Sequence, residues 1–197
     1  MRRSTIIFIL IALAQLAVPV CMIVQHERVL LEGEVFKFRT APIDPRDPFR
    51  GEYVVLNFEA SSGEWSNPHQ VPDTIADQNP WVDQTSYASL AVSDTSGYAV
   101  ITALSVEPPL SGAYIAVEHW GVVGSVVSRV ELPFDRFYLE EGDGAKTEKM
   151  LQPQWQEGTL VQQPLPAYAL VRVYNGEAVV EDLIVGDRSI QDWLKAP

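Results

Sequence analysis

The chain is poor in the residues that do most chemistry. It has one cysteine, Cys21, and three histidines, His26, His69 and His119, in 197 residues. One cysteine allows no intrachain disulfide and no thiolate metal centre. The histidines are scattered and lack metal-binding partners at short spacing, so each reads as a lone surface or strand-end side chain. G-x-S-x-G, P-loop and dinucleotide-binding patterns are missing. Basic charge is also scarce: 14 Lys and Arg stand against 26 Asp and Glu, a formal charge of −12. Arg2 and Arg3 lie before the first apolar run and every acid lies after it. The chain beyond the run therefore has 12 basic and 26 acidic residues, a net of −14. Such a surface excludes nucleic acid or an anionic membrane as a partner held by bulk charge. Glycine and proline are too few for general disorder, and 47% hydrophobic content supplies a core.

What is present begins with Met1–Val24, two arginines followed by about 20 mostly apolar residues. At 1.5 Å per helical residue these span about 30 Å, the thickness of a bilayer core. Residues 1–24 read as a transmembrane signal-anchor that meets the lipid bilayer through residues 4–24, with the arginines held on the cytoplasmic side and the C-terminal part outside. Gln15 and Pro19 interrupt the run, and membrane helices tolerate such a proline. A cleaved signal peptide fits less well, because the run is long and no small-x-small site comes after it. Lipid attachment at Cys21 is disfavoured by Val18-Pro19-Val20 before it. Residues 25–34 form a juxtamembrane linker: Gln25–Leu31 is a polar exit able to extend the helix, and Glu32-Gly33-Glu34 breaks it. Residues 35–197 then form an outer β-rich domain.

The stretch around which this domain is organised is Asp44–Glu59, DPRDPFRGEYVVLNFE. Pro42, Pro45 and Pro48 each fix φ and remove a donor, and push their predecessors toward extended conformations. Thr40–Phe49 is thus expected as a stiff connector, neither helix nor central strand. Tyr53–Phe58 reads as a strand with Tyr53, Val55 and Asn57 on one face and Val54, Leu56 and Phe58 on the other. Both faces are mostly apolar, so cover on both sides is expected. The charges Asp44, Arg46, Asp47, Arg50 and Glu52 nearly alternate in sign. They fit mutual pairing that pins the connector. They also fit a ligand or partner site with Tyr53, since two guanidiniums suit carboxylate or phosphate.

GEYVVLNF resembles the signature of the GDYXXLXY family of membrane-anchored bacterial proteins. Gly51, Tyr53 and Leu56 match; Glu52 stands for the signature Asp and Phe58 for its last Tyr. Asp44–Arg50 resembles the run that precedes it in the family, and FDRFYLEEGDG (134–144) and VVEDLIVGDR (179–188) also look familial. The resemblance covers most of the chain beyond the apolar run. It implies topology and build rather than a reaction, and a polytopic membrane protein as partner. RGEYVV also resembles, loosely, the strand after the nucleophile in signal peptidases. No serine precedes Gly51 at the needed position, which removes serine–lysine chemistry.

Val35–Thr40 reads as a half-exposed strand. Ala60–Ser86 is a long loop with a helical turn near Asp73–Gln78, and Trp65 and Trp81 plug the domain's mouth or line a groove. Tyr87–Val92, Tyr98–Val106, Ala113–Trp120 and Ser125–Leu132 are strands. Ala145–Leu151 starts a short amphipathic helix. Glu140, Glu141 and Asp143 lack EF-hand spacing, so no metal is expected there, and no cofactor elsewhere. Asn175-Gly176 between Ala167–Tyr174 and Glu177–Val185 is a hairpin signal, and Ser189–Leu194 is a final helical turn with Trp193 on the core. EPPLSGAYIAVEHW repeats the order proline turn, glycine, tyrosine, strand seen at DPFRGEYVVLNFE, which predicts two similar β-turn-β units. The expected architecture is mainly β, a sandwich or partly closed barrel with short helical pieces, behind one transmembrane helix. Two functions compete. One is a non-enzymatic envelope module partnering a membrane protein at the cytoplasmic membrane. The other is a membrane-surface hydrolase using the Asp47 and Glu52 carboxylates as acid and base.

Overall fold

The computed structural model describes residues 3–41, 53–67, 85–123, 127–151, 154–156, 159–163 and 165–195. The chain enters through a helix, α1 (Arg3–Glu32), of 30 residues. That is about 45 Å of helix, roughly ten residues more than a bilayer's hydrocarbon core of about 30 Å would need. From Ile7 to Val24 the large apolar side chains are exposed, and none of them is buried among the described residues. Among the described residues it is the one helix long and apolar enough to cross a membrane. Residues 25–32 continue the same helix, which ends at Gly33, whose N–H donates to the Val29 carbonyl at 2.9 Å.

The rest is mainly β. Strands β1 (Glu34–Ala41), β3 (Asn57–Phe58), β12 (Ala167–Tyr174), β13 (Glu177–Val185) and β14 (Arg188–Ser189) form one sheet in the order β14-β13-β12-β1-β3. Strands β4 (Ser62–Glu64), β5 (Thr85–Val92), β6 (Ala99–Ser105), β7 (Tyr114–Val123) and β8 (Val127–Glu131) form a second, in the order β4-β8-β7-β5-β6. Two small ladders complete it, β2 (Tyr53–Val55) with β9 (Arg136–Tyr138) and β10 (Gln154–Gln156) with β11 (Thr159–Gln162). The ladders between these strands are antiparallel.

Both large sheets remain open, yet the second curls until its edges touch. Trp65 bridges Leu104, and the Ser66 N–H donates to the Leu104 carbonyl at 2.9 Å. Gly63 makes this possible, because a Cβ there would lie 2.6 Å from Ile101 Cγ2. One core joins the sheets. At its centre Phe38, Phe58 and Phe134 pack edge to face, with centroids 5.7, 5.1 and 5.3 Å apart. Such contacts add about 0.5–1.5 kcal/mol per pair beyond burial. Phe58 is thus a core residue, and its lack of a hydroxyl suits an apolar site.

Alternation explains most of the strands. In β12, Ala167, Ala169, Val171 and Val173 are buried and the residues between them are half-buried. Its turn into β13 puts Asn175 at φ 49° and Gly176 at φ 86°, the two left-handed residues of a type I′ hairpin. Helix α2 (Gly144–Leu151) begins where an amphipathic helix is expected, and in α3 (Ile190–Lys195) the Trp193 indole donates to the Val185 carbonyl at 2.9 Å.

Several expectations need correction. Tyr53–Phe58 is not one strand: Leu56 interrupts it, β2 pairs with β9 and β3 with β1. It is also covered on one side only, with Val54, Leu56 and Phe58 buried, Tyr53 and Val55 half-buried and Asn57 exposed. The rigid connector does not start at Thr40. Thr40 and Ala41 end β1, an inner strand, because the extended geometry that Pro42 imposes on its predecessor is that of a strand. Ser62–Glu64 is a strand rather than loop; pairing with β8 overrides a sequence with no strand pattern. The two proline-turn units are not alike. Of the two strands after residues 42–52, β2 pairs with β9 and β3 with β1, the strand before them, whereas β6 and β7 lie on either side of β5. Trp65 lines no groove: it is buried and donates to Ser128 Oγ at 2.8 Å. Asp73–Gln78, His69 and Trp81 lie outside the described residues.

Candidate binding face and membrane junction

Of the site residues expected from the sequence, the structure describes Tyr53; Asp44, Arg46, Asp47, Arg50 and Glu52 lie outside the described residues. Tyr53 sits in the β2–β9 ladder. Tyr53 is opposite Tyr138, Val54 opposite Phe137 and Val55 opposite Arg136. The Leu56 N–H extends the ladder by donating to the Asp135 carbonyl at 2.6 Å. Side chains alternate between the faces of a strand. Val54 and Phe137 therefore enter the core together, and Tyr53, Arg136 and Tyr138 share the outer face. Two of the sequence stretches resembling the family, the signature and FDRFY, are in this way the two strands of one ladder.

The outer face is an aromatic platform with one cation. The Tyr53 and Tyr138 rings are 5.9 Å apart and tilted by 54°. The Arg136 guanidinium carbon lies 5.5 Å from the centre of the Tyr53 ring, within cation–π range. Its Nε is 3.6 Å from Asp135 Oδ2. The Asp135 carboxylate, with the Tyr138 hydroxyl and Tyr53 adding to it, raises the Arg136 pKa above its ordinary value. Tyr138 is 67% exposed, so the platform faces solvent. A planar cation beside two phenols can hold a carboxylate or present a recognition surface to a protein. Arg136 and Tyr138 are missed when the chain is read alone. Their signal is the aromatic patch Phe134–Tyr138, but only the ladder with β2 shows what it faces.

Asp143, in the acidic run that lacks metal-ligand spacing, is engaged within the chain. Its carboxylate accepts from Lys146 Nζ at 3.1 Å and its carbonyl from the Thr147 N–H at 3.0 Å, at the start of α2. The third familial stretch is structural: Asp182 Oδ1 accepts from the Leu183 N–H at 2.8 Å and from Ser189 Oγ at 3.0 Å, closing the β13–β14 turn.

The second assembly of polar side chains joins α1 to the β12–β13 hairpin. Val29 of α1 is buried. Around it, Gln25 donates to the Glu177 carboxylate and Arg28 Nη2 to the Tyr174 hydroxyl at 3.4 Å. The Arg28 guanidinium also lies 5.3 Å from the centre of the Tyr174 ring and pairs with Glu32 at 3.2 Å. Above them Arg172 Nη1 donates to the Gly33 carbonyl at 3.3 Å and grips Glu181 with two bonds, at 2.8 and 3.2 Å. Glu181 raises the Arg172 pKa. The helix end is therefore fastened to the sheet by one buried apolar contact and a collar of polar ones.

A family model described as GDYXXLXY protein matches residues 15–183. No curated protein and no solved structure matches the chain.

Proposed function

The chain belongs to the GDYXXLXY family, and from that membership and the geometry above we propose that it is a single-pass protein of the cytoplasmic membrane whose outer domain is a non-enzymatic binding or assembly module for a membrane protein. Its N-terminus lies in the cytoplasm, where Arg2 and Arg3 hold it, and its β domain lies outside. The observation that carries this reading is the fastening of α1 to β12 and β13 through Val29, Gln25 and Arg28. A flexible tether would suit an enzyme searching for substrate. A helix locked to its domain holds one face at a set height and angle above the bilayer, as a partner fixed in the same membrane requires. The docking face is Tyr53, Arg136 and Tyr138, with Asp44, Arg46, Asp47, Arg50 and Glu52 of the segment leading into β2 as its charged part.

A photo-crosslinking residue at Tyr138, in full-length protein in its native membrane, tests this. A discrete adduct with a membrane protein is expected, lost in Arg136→Ala and in Arg46→Ala/Arg50→Ala at unchanged melting temperature. Equal adducts in all variants, or none in any, count against the face. A large fall in melting temperature of Arg46→Ala/Arg50→Ala would show those arginines to be structural.

A further inference from the structure

The contacts of α1 with the domain order its ends relative to the apolar segment. Gln25 meets Glu177, Arg28 meets Tyr174, and Gly33 meets Arg172. The Asn175–Gly176 turn thus lies at the apolar end of the junction, and Tyr168, at the other end of β12, lies far from it. Tyr98 stands against Tyr168 with ring centroids 5.8 Å apart and beneath the Arg39 guanidinium at 5.7 Å. β6 therefore starts at the far end and finishes at the near one. The next loop, residues 106–113, leaves β6 on the helix side and re-enters the sheet at Tyr114. A Cβ on Gly176 would lie 3.0 Å from the Tyr114 ring, and the Ala116 N–H donates to the Gly176 carbonyl at 2.8 Å.

At the tip of this loop stand Pro108, Pro109 and Leu110, and Leu110 is fully exposed. Leaving water is cheap for such a tip. Neither proline has an N–H to strip of its hydrogen bond, and leucine gains by burial. β7 runs antiparallel to β5, with Tyr114 opposite Ser89 and Glu118 opposite Thr85, so it continues away from the Tyr98 end. The β7–β8 ladder ends in the same direction, at Val123 opposite Val127, and between Glu118 and Arg129 the sequence has no Asp, Glu, Lys or Arg. Residues 35–197 carry 11 basic and 23 acidic side chains, a net of −12, yet the ends of β7 and β8 and the proline–leucine tip fall at the end nearest the apolar helix.

We propose that this end of the domain rests on the bilayer, with Leu110 inserted in the interfacial layer of the outer leaflet as a second point of membrane contact. The inference rests on the reading of α1 as a membrane anchor. With two contacts the domain cannot tilt about the helix, which fixes the height and inclination of Tyr53, Arg136 and Tyr138 above the bilayer.

The test uses full-length protein in phosphatidylcholine–phosphatidylglycerol vesicles containing a lipid-borne spin-label quencher. An environment-sensitive fluorophore is placed on native Cys21, on Leu110→Cys or on Ser96→Cys, the last two in a Cys21→Ser background. Ser96 is exposed at the Tyr98 end. The label at 110 is expected to shift to the blue and lose emission to the quencher, as the Cys21 label does, while the label at 96 does neither. A label at 110 that behaves like the one at 96, with Cys21 quenched, overturns the proposal and leaves the anchor intact. An unquenched Cys21 label overturns the anchor itself, and the proposal with it.

Discussion

Tyr53 and Val54 are neighbours in the chain and serve opposite ends. Val54 is buried with Phe137, and Tyr53 lies on the platform with Arg136 and Tyr138. Substitutions should separate the two. Phe137→Ala removes a buried ring and should cost about 3 kcal/mol or more. Arg136→Ala loses an exposed pair and a surface cation–π contact, and should leave the unfolding midpoint essentially unchanged. Denaturant unfolding of the purified protein measures both. Gly176 gives a second residue-scale prediction. At φ 86° with the Tyr114 ring 3.0 Å from a would-be Cβ, Gly176→Ala should cost about 1–2 kcal/mol for the left-handed backbone, plus the clash. Gly142→Ala, at φ 96° with open space around it, should show the backbone part alone. The Asn-Gly pair is legible from the sequence because its geometry is local. The cation over Tyr53 is not, because Arg136 comes from a strand distant in the chain.

Elements show the same division between local and long-range physics. β12 and β13 run over the residues expected of them, since period-two alternation and an Asn-Gly turn both belong to a single hairpin. The short apolar Tyr53–Phe58 run carries no mark of where it changes partner, so its split into β2 and β3 is invisible until β1 and β9 are in place. β4 is the extreme case: Ser62-Gly63-Glu64 has nothing strand-like except that Gly63 lets it approach β6. Gly63→Ala should therefore push Ile101 and Leu104 aside and destabilise the domain by about 1–3 kcal/mol. Amide exchange of Ser66, which bonds to the Leu104 carbonyl, should speed up more than that of the β12–β13 hairpin. Equal acceleration in both would show that the curled edge is not a separate contact. Of the candidate site, Tyr53 and its strand are legible in the sequence; the partner strand is visible there only as an aromatic patch.

For the whole molecule, the decisive feature is that the apolar helix and the β domain share one junction rather than a hinge. A strand could come after a membrane helix through any polar linker, and Gln25–Leu31 is polar enough to look like one. The structure instead continues the helix to Glu32, buries Val29 and closes the end with Gly33 and Arg172. Val29→Asp should undo this, placing a charge where the helix meets the sheet, and should weaken crosslinking at Tyr138 although the residue is far from the platform in sequence. Hydrogen–deuterium exchange over residues 25–33 of the full-length protein in lipid nanodiscs is the most direct measurement. Slow exchange is expected to continue without a break from the apolar segment through Gly33, and to collapse in Val29→Asp. Exchange in 25–32 of the wild type as fast as in an unstructured peptide would contradict it.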